Sequence, residues 1–122
     1  MGPAETQAAV RHWQRIAMHI RLGLEPDEPR LLCAYHHQGE RLVAAYRQRA
    51  WTVHERMLRL LLDTAEDALL PVCWRMTCLD AASRPLARLG PLVADDGQAE
   101  RLQALAARLA RFTLRPVDRA EP

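Results

Sequence analysis

All five histidines of the chain lie within its first 54 residues, together with one of its three cysteines. These residues are His12, His19, His36, His37, His54 and Cys33. Imidazole and thiolate side chains are common protein ligands for zinc, iron and haem. This asymmetry is the main sign of site chemistry in the sequence, and its meaning depends on which of these side chains the fold brings together.

Helical folding predicts one group of three histidines. If the first helices pack as antiparallel neighbours, with turns near residue 26 and at Gly39, His12 comes level with a hairpin tip that holds His36 and His37. We expect these three to be boundary histidines, hydrogen-bonded to backbone or solvent, in a chain that holds no cofactor. The alternative is that they form a candidate metal site, whose cofactor would be haem or iron.

The remaining histidines form a looser pair. The same folding places His19 level with Cys33, and His54 about one turn from His19. A closed zinc site needs four convergent ligands, and neither group of histidines supplies four. The sequence also lacks the His-Glu-x-x-His and Glu-x-x-His patterns, so it predicts neither a zincin nor a di-iron bundle.

Nothing in the sequence predicts an enzyme. There is a single serine, no Gly-x-Ser-x-Gly element and no glycine-rich phosphate loop. The carboxylates of Asp63, Glu66 and Asp67 cluster, but helix capping and the helix dipole account for acidic residues in that pattern. Cys73 and Cys78 lie about 140° apart around a helix, so we predict small core residues rather than a shared metal site.

Every basic residue other than histidine is an arginine, and four arginines form an edge on the last predicted helix. They occupy a sector of about 80° beside its apolar stripe. This arginine edge consists of Arg101, Arg108, Arg111 and Arg115. It is predicted to bind a protein partner of unknown identity, although arginines on a solvated face show the same pattern. The net charge of only +2 makes nucleic-acid binding an unfavoured alternative, and a homodimer stays open.

The periodicity of apolar residues is helical nearly throughout, so the predicted fold class is all-α. We expect a single-domain bundle of about five helices over residues 1–114, followed by a disordered tail over 115–122. Three cysteines and the absence of a secretory signal at the start of the sequence favour a cytoplasmic protein without disulfides. No apolar run is long enough to span a membrane.

Local signals predict the ends of the first helices. The first helix is expected from about Glu5 to Leu22, with Gly23 just beyond its end. Asp27 is expected to cap a short second helix that stops near Gly39. A longer third helix follows.

Three later signals divide the rest of the chain. Thr64 is expected to cap the next helical start, and Pro71 to lie in the first turn of a fourth helix. A short helical piece should run from Ser83 to Gly90. The turn over residues 95–97 should cap the last helix.

Residues 34–51 resemble the inner turn of a tetratricopeptide unit. The features that they share are a Tyr four residues before a glycine, at Tyr35 and Gly39, and an Ala five residues after it, at Ala44. No second copy follows at a 34-residue period. The resemblance therefore implies one helical hairpin and no solenoid.

A second resemblance covers about residues 13–90. Its most specific segment is the run LLLDTAEDALLP over 60–71, supported by the segments DEPRL at 27–31, Trp74-Arg75, Cys78–Asp80 and Pro85-Leu86. These segments resemble the FagA family of Fur-associated gene products, which are small cytoplasmic bacterial proteins controlled by the iron-responsive repressor Fur. The resemblance implies a role in iron starvation or oxidative stress and assigns no binding or catalytic residue.

The expected function is thus a non-enzymatic helical adaptor in the bacterial iron-starvation response. The alternatives are a haem- or iron-binding module that uses the histidines, and a nucleic-acid-binding adaptor.

Overall fold

The computed structural model describes residues 2–113, which form six α-helices and one 3-10 turn and contain no strand. The elements are α1 (Pro3–Arg21), α2 (Arg30–Ala44), α3 (Ala50–Ala65), α4 (Val72–Ala81), α5 (Ser83–Leu89), the 3-10 turn (Gly90–Leu92) and α6 (Asp96–Thr113). The all-α prediction is confirmed. The predicted tail over 115–122, with Arg115, lies outside the described residues. No described helix is both long and apolar enough to cross a membrane.

Helix α3 is the centre of the bundle, because α1, α2, α4, α5 and α6 all pack against it. Nine of its sixteen residues are buried, so apolar side chains point from it in several directions. Leu58 and Leu62 are completely buried. Truncation of such a side chain to alanine typically costs about 2–5 kcal/mol.

The end of α1 follows the sequence prediction. Gly23 has a φ of +60°, its N–H donates to the carbonyl of Ile20 at 3.1 Å, and the N–H of Leu24 donates to His19 at 3.1 Å. This pair of bonds is a Schellman motif. A Cβ at position 23 would also lie 2.9 Å from Leu70 Cδ2. Glycine is therefore required both for its backbone conformation and for the space that it leaves.

The prediction that the second helix stops at Gly39 is wrong, because α2 continues to Ala44. A Cβ at position 39 would lie 2.7 Å from Met57 Sδ and 3.2 Å from Trp13 Nε1. Gly39 is thus a point of close approach between α2 and its neighbours α1 and α3. The hairpin turn lies over residues 45–49, where Arg47 adopts a φ of 57°. The tetratricopeptide resemblance therefore placed the turn too early.

The predicted start of α2 is also wrong. Pro29, not Asp27, occupies the position before the helix, and no side chain caps it there. Instead, the Glu28 carboxylate accepts a hydrogen bond from the backbone N–H of Arg30 at 3.2 Å and two from its guanidinium at 3.0 and 3.1 Å. An acidic residue before a helix does favour its N-terminus, but here the helix begins after Pro29, two residues later than a cap at Asp27 would place it.

Two further capping predictions have opposite outcomes. Thr64 does not start a helix, because it is fully buried in the last turn of α3 and its hydroxyl donates to the Leu60 carbonyl at 2.7 Å. The cap of α6 is confirmed. Asp95 Oδ1 accepts the Gln98 N–H at 2.7 Å, and Gln98 Oε1 accepts the Ala94 N–H at 2.7 Å. These reciprocal bonds satisfy amide groups at the start of α6.

Substitution of Gly39 by alanine tests the close approach in the core. Alanine favours a helix interior by about 1 kcal/mol over glycine, but the added methyl group must displace the fully buried Met57. We expect overpacking to dominate, so that Gly39→Ala lowers the free energy of unfolding by about 1 kcal/mol in urea titration.

Met57→Ala provides the internal control for this effect. In the double variant Gly39→Ala/Met57→Ala the new methyl group has room. The loss of unfolding free energy in the double variant should therefore be smaller than the sum of the losses in the two single variants. Gly90→Ala, where no atom lies within 4 Å of the new Cβ, should change stability by less than about 0.5 kcal/mol. Strict additivity at positions 39 and 57 would contradict the proposed contact.

Candidate functional site

The three histidines of the candidate metal site do not come together. His36 is buried, whereas His12 and His37 are exposed on their helices. Because the hairpin turn lies at 45–49 rather than at Gly39, α2 places His36 opposite His54 of α3 instead. Within residues 2–113, no group of three or more His, Cys, Asp or Glu side chains could hold a metal ion. The candidate ligand set is corrected accordingly.

His36 and His54 belong instead to a polar cluster between α2, α3 and α5. The two imidazole rings are 6.1 Å apart between centroids and tilted by 51°. His36 Nε2 lies 3.4 Å from Glu40 Oε2, and Arg88 donates to the same carboxylate oxygen at 2.8 Å. Arg84 of α5 acts electrostatically on His36. We call these residues (His36, Glu40, His54, Arg84 and Arg88) the histidine cluster.

Burial controls the charge of both imidazoles. Loss of hydration lowers the pKa of His36; the positive charges of Arg84 and Arg88 lower it further, and Glu40 opposes them. Burial also lowers the pKa of His54, with a smaller contribution from His36. His54 Nδ1 is buried without a hydrogen-bond partner among the described residues. The imidazoles of His36 and His54 are therefore neutral at pH 7.

The other candidate ligands are separate from this cluster. His19 Nδ1 lies 3.0 Å from the Arg15 carbonyl, which is the backbone-bonded arrangement that the boundary alternative predicts. Cys33 and Cys73 are exposed, so the prediction of a core position is wrong for Cys73. It is confirmed for Cys78, whose thiol pKa is raised to about 12 by burial.

The arginine edge of α6 is largely used inside the molecule. Arg108 donates to both carboxylate oxygens of Glu66, at 2.8 and 3.0 Å, and to Asp63 Oδ1 at 2.6 Å. These hydrogen bonds, first to Glu66 and then to Asp63, raise the pKa of Arg108 against the effect of burial. Partner binding by this arginine stays a prediction, and its hydrogen bonds within the described residues are all to carboxylates of α3 and its C-terminal end. Arg108 thereby holds α6 against α3.

Arg101 has a similar internal role. Its Nε donates to Glu55 Oε2 at 2.9 Å, and its guanidinium carbon lies 5.7 Å from the centroid of the Trp51 ring. A guanidinium at this distance from an indole is a cation–π contact. Of the predicted edge, Arg111 alone among the described members is exposed without such a contact to α3.

The sequence predicts capping roles for the acidic residues Asp63, Glu66 and Asp67. In the structure they mainly form ion pairs. Besides the pairs of Asp63 and Glu66 with Arg108, Asp67 accepts a hydrogen bond from Arg21 Nη1 at 2.7 Å and one from the Leu69 N–H at 2.9 Å. The bond from Arg21 is the main cause of a lowered pKa of Asp67. This ion pair connects the end of α1 to the segment between α3 and α4.

An exposed apolar surface lies at that junction. All five large hydrophobic side chains that are exposed within residues 2–113 belong to the segments 18–24 and 69–72. They are Met18, Leu22, Leu24, Leu69 and Val72, and we call them the apolar end. Leu69 is 93% exposed.

Three contacts join the segment 18–24 to residues 67–74, which include the segment 69–72. Trp74 Nε1 donates to the Ile20 carbonyl at 3.0 Å, Arg21 pairs with Asp67, and Gly23 packs on Leu70. Trp74 is completely buried. The segments are therefore fixed side by side, and their exposed side chains border one end of the bundle.

Sequence reasoning missed the apolar end. Val72, at the start of the predicted fourth helix, is 67% exposed. The sequence does contain a sign of this exposure. Leu69 and Leu70 precede Pro71 in a segment that is too short to form a helix with a buried face of its own.

Comparisons of this chain with protein-family models, with curated proteins and with solved structures find no match.

The histidine cluster should make stability depend on pH. In the unfolded chain a histidine titrates near pH 6.5. Because the folded-state pKa values are lowered, the unfolded state binds more protons below that pH, and protonation favours unfolding. We expect the free energy of unfolding to be constant above about pH 7 and to fall as the pH drops below about 6.5. Urea titrations between pH 8 and 5 measure it.

Two variants assign this pH dependence. His54→Gln removes one of the buried titrating groups and should flatten the decline in stability, whatever its effect at pH 8. The exposed His12→Gln serves as the matched control and should retain the decline of the unmodified chain. If His54→Gln and the unmodified chain lose stability in parallel as the pH falls, the histidine cluster is not the origin of the pH dependence.

Truncation of Arg108 tests how α6 is held. Arg108→Ala removes three hydrogen bonds and leaves the carboxylates of Asp63 and Glu66 close together. We expect a loss of about 1–2 kcal/mol in thermal or urea unfolding, reduced at high salt. Arg111→Ala, on the same helix and exposed, should cost less than about 0.5 kcal/mol. Equal effects of the two substitutions would refute the docking role of Arg108.

Proposed function

We propose that this chain is a non-enzymatic, cytoplasmic helical adaptor that binds a protein partner in the bacterial response to iron starvation or oxidative stress. The observation that carries the binding role is the apolar end. The resemblance to the FagA family supplies the physiological context.

The apolar end has the properties of a protein-binding surface. Large apolar patches on soluble monomers mark interaction sites, and all five exposed large apolar side chains within residues 2–113 belong to two adjoining segments. Full burial of a leucine contributes about 1.5–3 kcal/mol. Leu69, with 93% of its surface exposed, thus contributes little burial free energy to the fold and could contribute much more on binding a partner.

The surface is also preorganised. The bond from Trp74 to Ile20 and the ion pair of Arg21 with Asp67 fix the two segments before any partner arrives. A preorganised surface loses less conformational entropy on binding than a flexible one. The partly exposed Arg21–Asp67 pair would supply a polar contact among the apolar ones, as is usual in protein interfaces.

The alternatives have less support. The haem or iron module depended on a ligand set of His12, His36 and His37, which the fold separates. A nucleic-acid adaptor would need a strongly basic surface, whereas two arginines of the α6 edge are neutralised by carboxylates of α3. A second copy of this chain could occupy the same apolar end, and the following experiment separates that outcome.

Site-specific photo-crosslinking tests the proposal. A photoreactive phenylalanine analogue replaces Leu69 in the full chain, which is expressed in bacteria of its own source grown with and without iron. The matched control carries the same analogue at Glu100, an exposed position of α6 away from the apolar end. We expect a discrete adduct with another protein at position 69 and none at position 100, strongest in iron-poor cells.

Each other outcome has a defined meaning. Leu22→Asp should remove the adduct formed at position 69, because it places a charge within the apolar end. An adduct only with a second copy of the chain would show a homodimer and contradict the adaptor role. The absence of any adduct above that of the control position would contradict a binding role for this surface.

A further inference from the structure

A groove runs between α1 and α3, with residues of α2 in its floor. It consists of two hollows of about 320 and 270 Å³ that share Trp13 and Arg56 as lining residues. Leu42 lies in the floor of the first and Tyr35 in that of the second, and both are buried. We call this feature the α1–α3 groove. It is separate from the apolar end, so the inference below does not depend on the proposed function.

The floor of the groove is apolar and aromatic. Trp13 is 4% exposed and stacks on Tyr35, with ring centroids 5.4 Å apart and planes 16° apart. Val53 is buried beside Leu42 in the first hollow. Each hollow is open to solvent and has the volume for one or two apolar side chains of a binding partner.

The wall of the first hollow carries positive charge without a carboxylate partner, whereas the second hollow also contains Asp63, which pairs with Arg108. Arg49 and Arg56 both line the first hollow and are exposed, and neither has a carboxylate partner among residues 2–113. Arg41 in the last turn of α2 and Arg47 in the neighbouring turn are exposed as well. No acidic residue occurs between Glu40 and Glu55.

The carboxylate closest in sequence to Arg49 and Arg56 is that of Glu55, and it already has other partners. Glu55 accepts hydrogen bonds from Arg59, from Arg101 and from the Trp51 indole. The arginines of the groove therefore differ from Arg101 and Arg108, whose charges are compensated within the fold.

We propose that the α1–α3 groove binds an acidic amphipathic helix of a partner protein. Apolar side chains of that helix enter the two hollows, and its carboxylates pair with Arg49 and Arg56. Arginine is suited to this role, because its planar guanidinium binds a carboxylate through two parallel hydrogen bonds.

The spacing of the groove matches a helix. Arg49 and Arg56 are seven residues apart, as are Val53 and Leu60 at the two hollows, which corresponds to about 10 Å along α3. Anchors at positions i and i+7 of a helical ligand have the same separation. From Arg49 to Asp63 the groove is about 21 Å long, which accommodates a helix of about 14 residues.

Selection from a display library of 15-residue peptides tests this proposal. The bait is the full chain carrying Leu69→Asp, so that peptides that bind the apolar end are excluded and failure of either proposal can be distinguished. Enriched peptides are then synthesised with a fluorescent label, and their Kd values are measured by anisotropy.

Two matched double variants are compared with the bait. Arg49→Glu/Arg56→Glu reverses the charge in the groove. Arg15→Glu/Arg111→Glu makes the same change in net charge at exposed positions elsewhere. Circular dichroism shows whether each variant retains its helices and unfolds cooperatively.

The expected result has three parts. Enriched peptides carry net negative charge and apolar residues at i and i+7. Their Kd rises at least tenfold in the groove variant and less than threefold in the control variant. In heteronuclear NMR spectra, a peptide shifts the indole N–H resonance of Trp13 more than that of Trp74.

Several results would overturn the proposal. These are enrichment of neutral or basic peptides, equal weakening by both double variants, or no enrichment over an empty matrix. Peptides that act at another face would leave the Trp13 resonance unchanged and would also contradict it. Tighter binding of a single-stranded oligonucleotide than of any peptide, with the same dependence on Arg49 and Arg56, would assign the groove to nucleic acid instead.

Discussion

The close approach of three helices at Gly39 is the contact on which the rest of the structure depends. Because position 39 has no side chain, Trp13 of α1 and Met57 of α3 both pack against the backbone of α2. The helix therefore continues past the glycine, and the turn forms at 45–49. This register places His36 opposite His54 and sets the turn arginines at one end of the α1–α3 groove. A different register would have changed all of these neighbours together.

Electrostatics then divides the arginines into two classes. Those with carboxylate partners, such as Arg101 and Arg108, hold α6 on the central helix. Those without, such as Arg49 and Arg56, remain at the surface. A helical stripe of arginines has the same sequence pattern in both cases, because periodicity gives the face of a helix and not the element opposite to it. The arginines of the α6 edge could therefore be located along the chain from the sequence, whereas their ion pairs with α3 could not.

The same distinction explains which helix boundaries could be predicted. The ends at Gly23 and Asp95 depend on hydrogen bonds between residues within five positions, so the local sequence contains their cause. Gly39 and Thr64 resemble boundary residues in composition. However, Gly39 is buried against Trp13 and Met57 of other helices, and Thr64 is fully buried in the last turn of α3. Tertiary packing outweighs the small intrinsic preferences of such residues, which amount to about 1 kcal/mol or less.

The sequence by itself determined the all-α class and the approximate positions of most helices, because these follow from helical periodicity and local capping. Only the tertiary structure decided which side chains meet. It separated His12 and His37 from the buried pair of His36 and His54, turned Arg108 inward, and left Leu69 and Val72 exposed beside the end of α1. These outcomes arise from contacts between residues distant in sequence, whose geometry is set by the packing of the whole bundle around α3.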